Sequence, residues 1–157
     1  MRSAWERNLA VNLRLVRNLE PSMLSAHSPG GGASVAQHLA HMTMTVKFWG
    51  DLIDPDRMAA LPDLFRGEPA GGAPELLDAE TDLDRIATVC QQTGEAALAA
   101  ADAHPAGGPE SPHPDAAAYL VHMLVHDAHH RGQILLALKS AGHALPDAEG
   151  LWAPWRS

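Results

Sequence analysis

A single cysteine, Cys90, is found among 157 residues, so no internal disulfide can brace the chain and its stability must come from packing. The first residues alternate polar and apolar without the continuous hydrophobic stretch of a signal peptide, and together with the near-absence of cysteine this gives the expectation of a cytoplasmic protein. Aromatic residues make up only 4%, and runs of Val, Ile and Thr are missing, which argues against a core built on sheets. No apolar run approaches the roughly 20 residues needed to cross a bilayer, so no membrane span is expected. Lysine and arginine nowhere cluster, and the formal net charge is -8. The electrostatic footprint of a phosphate-backbone binder is absent, and nucleic acid is not an expected partner.

What is present favours helices. The apolar share is 46%, carried mostly by Ala and Leu, and the length suits one domain over residues 1–157 with one sizeable core. A first helix is expected from Ser3 to Leu24, with Trp5, Leu9, Val16, Leu19 and Met23 on one side, and Pro21 kinking or ending it near Leu19. His27-Ser-Pro-Gly-Gly-Gly reads as a connection. Ser34 and Gln37 then fit a capping box that starts a second helix, whose stripe is Val35, Leu39, Met42, Val46 and Trp49. The adjacent row holds His38, His41, Thr45 and Phe48.

From Asp54 to Ala73 the density of Pro and Gly predicts a long crossover, with room for a short helical turn within Arg57 to Phe65. Such a crossover makes the second and third helices parallel. The third helix is expected to begin after Pro74, with Glu75, Asp78 and Glu80 at its positive end and a seam of Leu76, Ala79, Leu83, Ile86, Cys90, Thr93 and Ala97. Cys90 on that seam reads as a small core residue and not a nucleophile. A second breaker-rich loop holds His104 and His113, both expected in solvent. Ser111 and Pro112 are expected to open the last helix, and Gly142 with Pro146 to close it. The apolar tail Leu151-Trp-Ala-Pro-Trp155 should pack back on the body or on a partner.

The last helix carries four histidines in nine residues, His122, His126, His129 and His130. Residues four apart on a helix stand one above the other, so His126 and His130 can direct two imidazoles at one ion. Such a pair needs a third ligand, and the second helix offers His38 or His41. Spacing alone leaves that choice open, with His38 nearer the centre of the stripe by about one row of the helix surface. Asp127 and Arg131 fall on the apolar arc, where they are expected to pair with each other or with another helix. Val121, Val125 and Leu136 lie on the far side, which gives the expectation of a homodimer.

Two segments, Ser34-Val-Ala-Gln-His-Leu-Ala-His41-Met and His126-Asp-Ala-His-His130-Arg-Gly-Gln133 with the apolar run, Gly142 and Pro146 that follow, resemble the DinB/YfiT-like family of metal-dependent four-helix-bundle proteins. The resemblance covers nearly the whole chain. It implies an all-α four-helix bundle and a metal held by His41, His126 and His130, with His38 and His129 as pocket residues and candidate proton shuttles. The family is also similar to mycothiol-dependent isomerases and to bacillithiol or other low-molecular-weight thiol transferases, in which the metal is thought to lower the pKa of a thiol cofactor. Three neutral imidazoles leave open positions on a divalent ion, and Zn²⁺, Ni²⁺ or Fe²⁺ would accept them. The expectation ranked first is a thiol-dependent transferase or isomerase acting on a small molecule. A metallohydrolase using hydroxide on the metal comes second, and a non-catalytic metal-binding stress-response protein third.

Overall fold

The computed structural model describes residues 1–66 and 77–156, and these are mostly helical. Helix α1 spans Arg2–Arg17, α2 Val35–Asp51, the short α3 Pro55–Ala59, α4 Leu83–Ala103 and α5 Ala116–Ser140. Helices α1 and α2 each pack against both α4 and α5, and α4 also packs on α5. No described helix is long and apolar enough to cross a membrane.

Local chemistry explains most of the boundaries. Helix α1 ends at Arg17, earlier than the periodicity predicts, because Pro21 cannot donate an N–H and disfavours helical backbone at Glu20. Pro21–Met23 continues only as a tight 3-10 turn. The capping box at the start of α2 forms in both directions: Gln37 N–H donates to Ser34 Oγ at 3.2 Å and Ser34 N–H to Gln37 Oε1 at 2.8 Å. At the far end of α5, Gly142 takes φ +80, Gly142 N–H donates to the Lys139 carbonyl and His143 N–H to that of Leu138. This is a Schellman closure, as the glycine implied.

Two helix starts differ from expectation. Residues Asp78–Ala79, read as the first turn of the third helix, instead form β2, which pairs antiparallel with β1, Phe65–Arg66. Helix α4 begins only at Leu83, where Asp82 Oδ1 accepts the N–H groups of Asp84 and Arg85. Glu80 does not line a helix terminus. Its buried carboxylate accepts the N–H groups of Thr81 and Asp82 and the guanidinium of Arg66, with Arg85 3.1 Å away, and these backbone bonds first hold it well below the usual carboxylate range. Pro74, Glu75, Leu76 and most of the expected crossover beyond Arg66 lie outside the described residues. Likewise α5 starts at Ala116 with Asp115 as N-cap, accepting from Ala118 N–H at 2.8 Å. Ser111 and Pro112 do not open it, because Pro114 keeps His113 out of helical backbone.

The interior falls into two apolar clusters. One gathers Val11, Leu15, Val35, Leu39, Met42, Ile86, Val89, Ile134 and Leu138; the other holds Trp5, Val46, Met58, Ala97, Ala100, Tyr119, Leu120 and Met123. Along α5 the buried order Met123, Asp127, Arg131, Ile134 puts a polar pair between them. Leu151 is buried in the first cluster, and the 3-10 turn Gly150–Trp155 lies on α1. Arg7 donates to the Pro154 carbonyl there. The tail therefore folds back as expected, although Trp152 and Trp155 stay partly exposed.

Candidate metal centre

Helix α2 brings His38 and His41 to face His126 and His130 of α5. One ring nitrogen each from His41, His126 and His130 lies within 4.8 Å of the others, and the three ring centroids are 4.4 to 5.1 Å apart. His41 Nε2 and His126 Nε2 approach to 3.3 Å. Two imidazole nitrogens bound to one tetrahedral ion at the usual bond length of about 2.0–2.1 Å stand about 3.3–3.4 Å apart, so this edge has the size such an ion requires.

His38 takes a different part. Its Nδ1 lies 3.0 Å from Nδ1 of His130, close enough for one ring to donate the proton that the other accepts. A histidine held at one nitrogen offers the other to a ligand in a defined tautomer. Burial first, then the imidazoles of His126, His41, His38 and His129, pushes His130 down to about 3. Burial and the neighbouring His129 and His27 likewise hold His38 below its ordinary value. Both rings are therefore neutral at ordinary pH, with lone pairs available to a cation.

Behind the histidines stands a buried polar clamp. Asp127 Oδ2 accepts the side-chain amides of Asn8 and Asn12, each at 2.7 Å, and Arg131 donates to both of their carbonyl oxygens. Asn8 and Asn12 are one turn apart on α1, Asp127 and Arg131 one turn apart on α5, so the four groups fix how α5 is turned against α1. That rotation sets where the adjacent His126 and His130 point. Asp127 Oδ1 and His126 Nδ1 are both buried with no hydrogen-bond partner among the described residues and lie 3.9 Å apart, beyond a hydrogen bond but within reach of a small shift.

A cleft of about 310 Å³ opens beside these residues, lined by Ser28, Gly31, Gly32, Ala33, His38, His41, His129, His130 and Gln133. His129 is exposed, its ring 5.0 Å from that of His130. The glycines keep one wall low: Gly31 and Gly32 have φ +93 and +94 and open space where a Cβ would stand. Among the described residues, none that lines it is a carboxylate, lysine or arginine.

The sequence reading missed Asn8 and Asn12, the glycine wall and Gln133. The asparagines had a signal, two amides one turn apart beside Trp5, and the buried face of α1 runs Trp5, Asn8, Val11, Asn12, Leu15, Val16. His104 is exposed as expected. His113 is not a free loop residue, since it packs on His122 and Trp49. Cys90 lies off the cleft, and burial together with nearby Asp127 pushes its thiol up to about 12.

The fold and these groups define a helical protein that gathers three imidazoles beside an uncharged cleft. Residues 1–157 match the family model of the DinB family. The chain belongs to that family. No curated protein and no solved structure gave a match.

Proposed function

We propose that His41, His126 and His130 together bind a divalent transition-metal ion, Zn²⁺, Ni²⁺ or Fe²⁺, and that the protein is a thiol-dependent S-transferase or isomerase acting on a small molecule. The observation that carries the reading is the convergence of three imidazole nitrogens within 4.8 Å, beside a cleft able to admit two small reactants. A divalent ion in that position lowers the pKa of a coordinated thiol, and this chemistry needs no protein general base. The same ion would also lower the pKa of a bound water, so the thiol reading is preferred on the likeness to thiol-dependent transferases and isomerases drawn from the Ser34–Met42 and His126–Gln133 segments. The thiol would come from a small cofactor, since the one cysteine of the chain is off the cleft with its pKa raised to about 12. His38 would hold His130 in its ligating tautomer, and exposed His129 would accept or return a proton at the cleft. The proposal includes a single four-helix-bundle domain with the crossover after α2, and a homodimer in the cytoplasm. Val121, Val125 and Leu136 remain 43, 59 and 49% exposed on one face of α5, apolar area a second copy would cover.

Cobalt-substituted protein tests the reading. Adding a low-molecular-weight thiol should produce a thiolate-to-cobalt charge-transfer band that is lost in His126→Ala. Turnover of activated esters by water alone, with no thiol band, would replace the reading with the hydrolase. Neither signal across broad panels would leave a non-catalytic metal protein.

A further inference from the structure

Among the histidines outside that centre, two form a pair of their own. His113, in the loop before α5, and His122, within α5, are brought together so that His113 Nε2 lies 2.9 Å from His122 Nδ1, with ring centroids 5.2 Å apart. The pair is built and not merely adjacent. The other ring nitrogen of His113 lies 3.2 Å from Ser111 Oγ, an oxygen that also accepts the His113 backbone N–H, and Pro114 restricts the backbone of His113 itself. Trp49 packs against both rings, at 5.5 Å from His113 and 5.6 Å from His122, while Tyr119 meets His113 edge-on. Only one proton fits between two nitrogens at this distance. Burial first, then the neighbouring His122, holds His113 below its ordinary pKa and favours its neutral ring, and a proton kept on Nδ1 toward Ser111 Oγ leaves Nε2 with a free lone pair.

Bonds of about 2.0–2.1 Å place neighbouring nitrogens of a square-planar or tetragonal ion about 2.8–3.0 Å apart, and a tetrahedral pair wider. The 2.9 Å gap between His113 and His122 fits the first geometry, whereas the 3.3 Å edge between His41 and His126 fits the second. We propose that His113 and His122 form a second metal site, separate from the three-histidine centre, which takes a tetragonal divalent ion such as Cu²⁺ or Ni²⁺ with water in its remaining positions. Ser111 holds the His113 ring as an outer partner holds a ligating histidine. His122 precedes His126 by one turn, about 6 Å along the axis, so the two sites share α5.

The test is a Cu²⁺ titration of metal-stripped protein, read by ions bound per chain and by tryptophan fluorescence, for wild type, His113→Ala, His122→Ala, His126→Ala and Trp49→Phe. Wild type should bind one ion more than either His113→Ala or His122→Ala, with a quenching phase from Trp49 that both lose. His126→Ala should keep that phase, and Trp49→Phe should lose the quenching while keeping the bound ion. The proposal is overturned if His113→Ala and His122→Ala bind as many ions as wild type with unchanged quenching. Loss of the three-histidine centre would instead appear in the His126→Ala stoichiometry, so the two readings fail separately.

Discussion

Replacing Asp127 with alanine strikes the clamp that orients α5. Asp127 and Arg131 are 2% and 3% exposed, so removing the carboxylate strands a guanidinium in the interior and strips the Asn8 and Asn12 amides of their acceptor. Asn8 and Asn12 bridge the two buried charges, and removing one charge of such a set costs about 3–5 kcal/mol, because the surviving charge has no solvent to turn to. For a chain of this length each kcal/mol lowers Tm by roughly 2–4 °C, which puts the expected loss at about 6–20 °C. Urea denaturation followed by circular dichroism measures it. The partner experiment is Asp127→Leu with Arg131→Met, which removes both charges and should lose less than Asp127→Ala alone, since an apolar pair of similar volume leaves no charge stranded. A loss below about 1 kcal/mol for Asp127→Ala, or additive losses in the double variant, would refute the reasoning.

Gly108→Ala should destabilise by about 1–3 kcal/mol through overpacking, because its Cβ would fall 1.9 Å from the Leu52 carbonyl oxygen, backbone against backbone; a neutral result in the same assay would contradict the close approach. Metal-free protein should lose stability as pH falls from about 6.5 toward 3. His130 titrates at about 3 when folded against an ordinary 6.5, so the unfolded chain takes up the proton first, and the contribution is complete only above 6.5. Denaturation midpoints across that range should fall less steeply for His130→Gln, and identical slopes would contradict the assignment. Sedimentation velocity should find wild type as a dimer and Val125→Glu as a monomer; a monomeric wild type at every concentration would remove the dimer from the proposal.

Features decided within one turn of chain were legible in the sequence. The capping box of Ser34 and Gln37 needs only residues three apart, and Gly142 closes α5 with neighbours in reach, so each announces itself locally. The start of α4 was not legible, since Leu76 and Ala79 extend the apolar period upstream while β1, far back in the chain, claims Asp78 and Ala79. Periodicity does not see a strand partner. At the site, His126 and His130 declare themselves by their spacing, but choosing between His38 and His41 depends on how α2 is rotated against α5. That rotation is a tertiary fact. So is the clamp, whose Asn8–Asp127 bond joins residues 119 positions apart, and so is the meeting of His113 with His122.

All of the proposed chemistry rests on metal binding by His41, His126 and His130. Its most direct test is the metal content, by mass spectrometry, of tag-free protein incubated with Zn²⁺, Ni²⁺ or Fe²⁺, for wild type, His41→Ala, His126→Ala and His38→Ala. His41→Ala and His126→Ala should each lose one tightly held ion that wild type retains, while His38→Ala keeps it with affinity weakened by about 10–100-fold, as expected for an outer partner. Wild type that remains free of tightly held metal, or retention in His41→Ala with loss in His38→Ala, would contradict it.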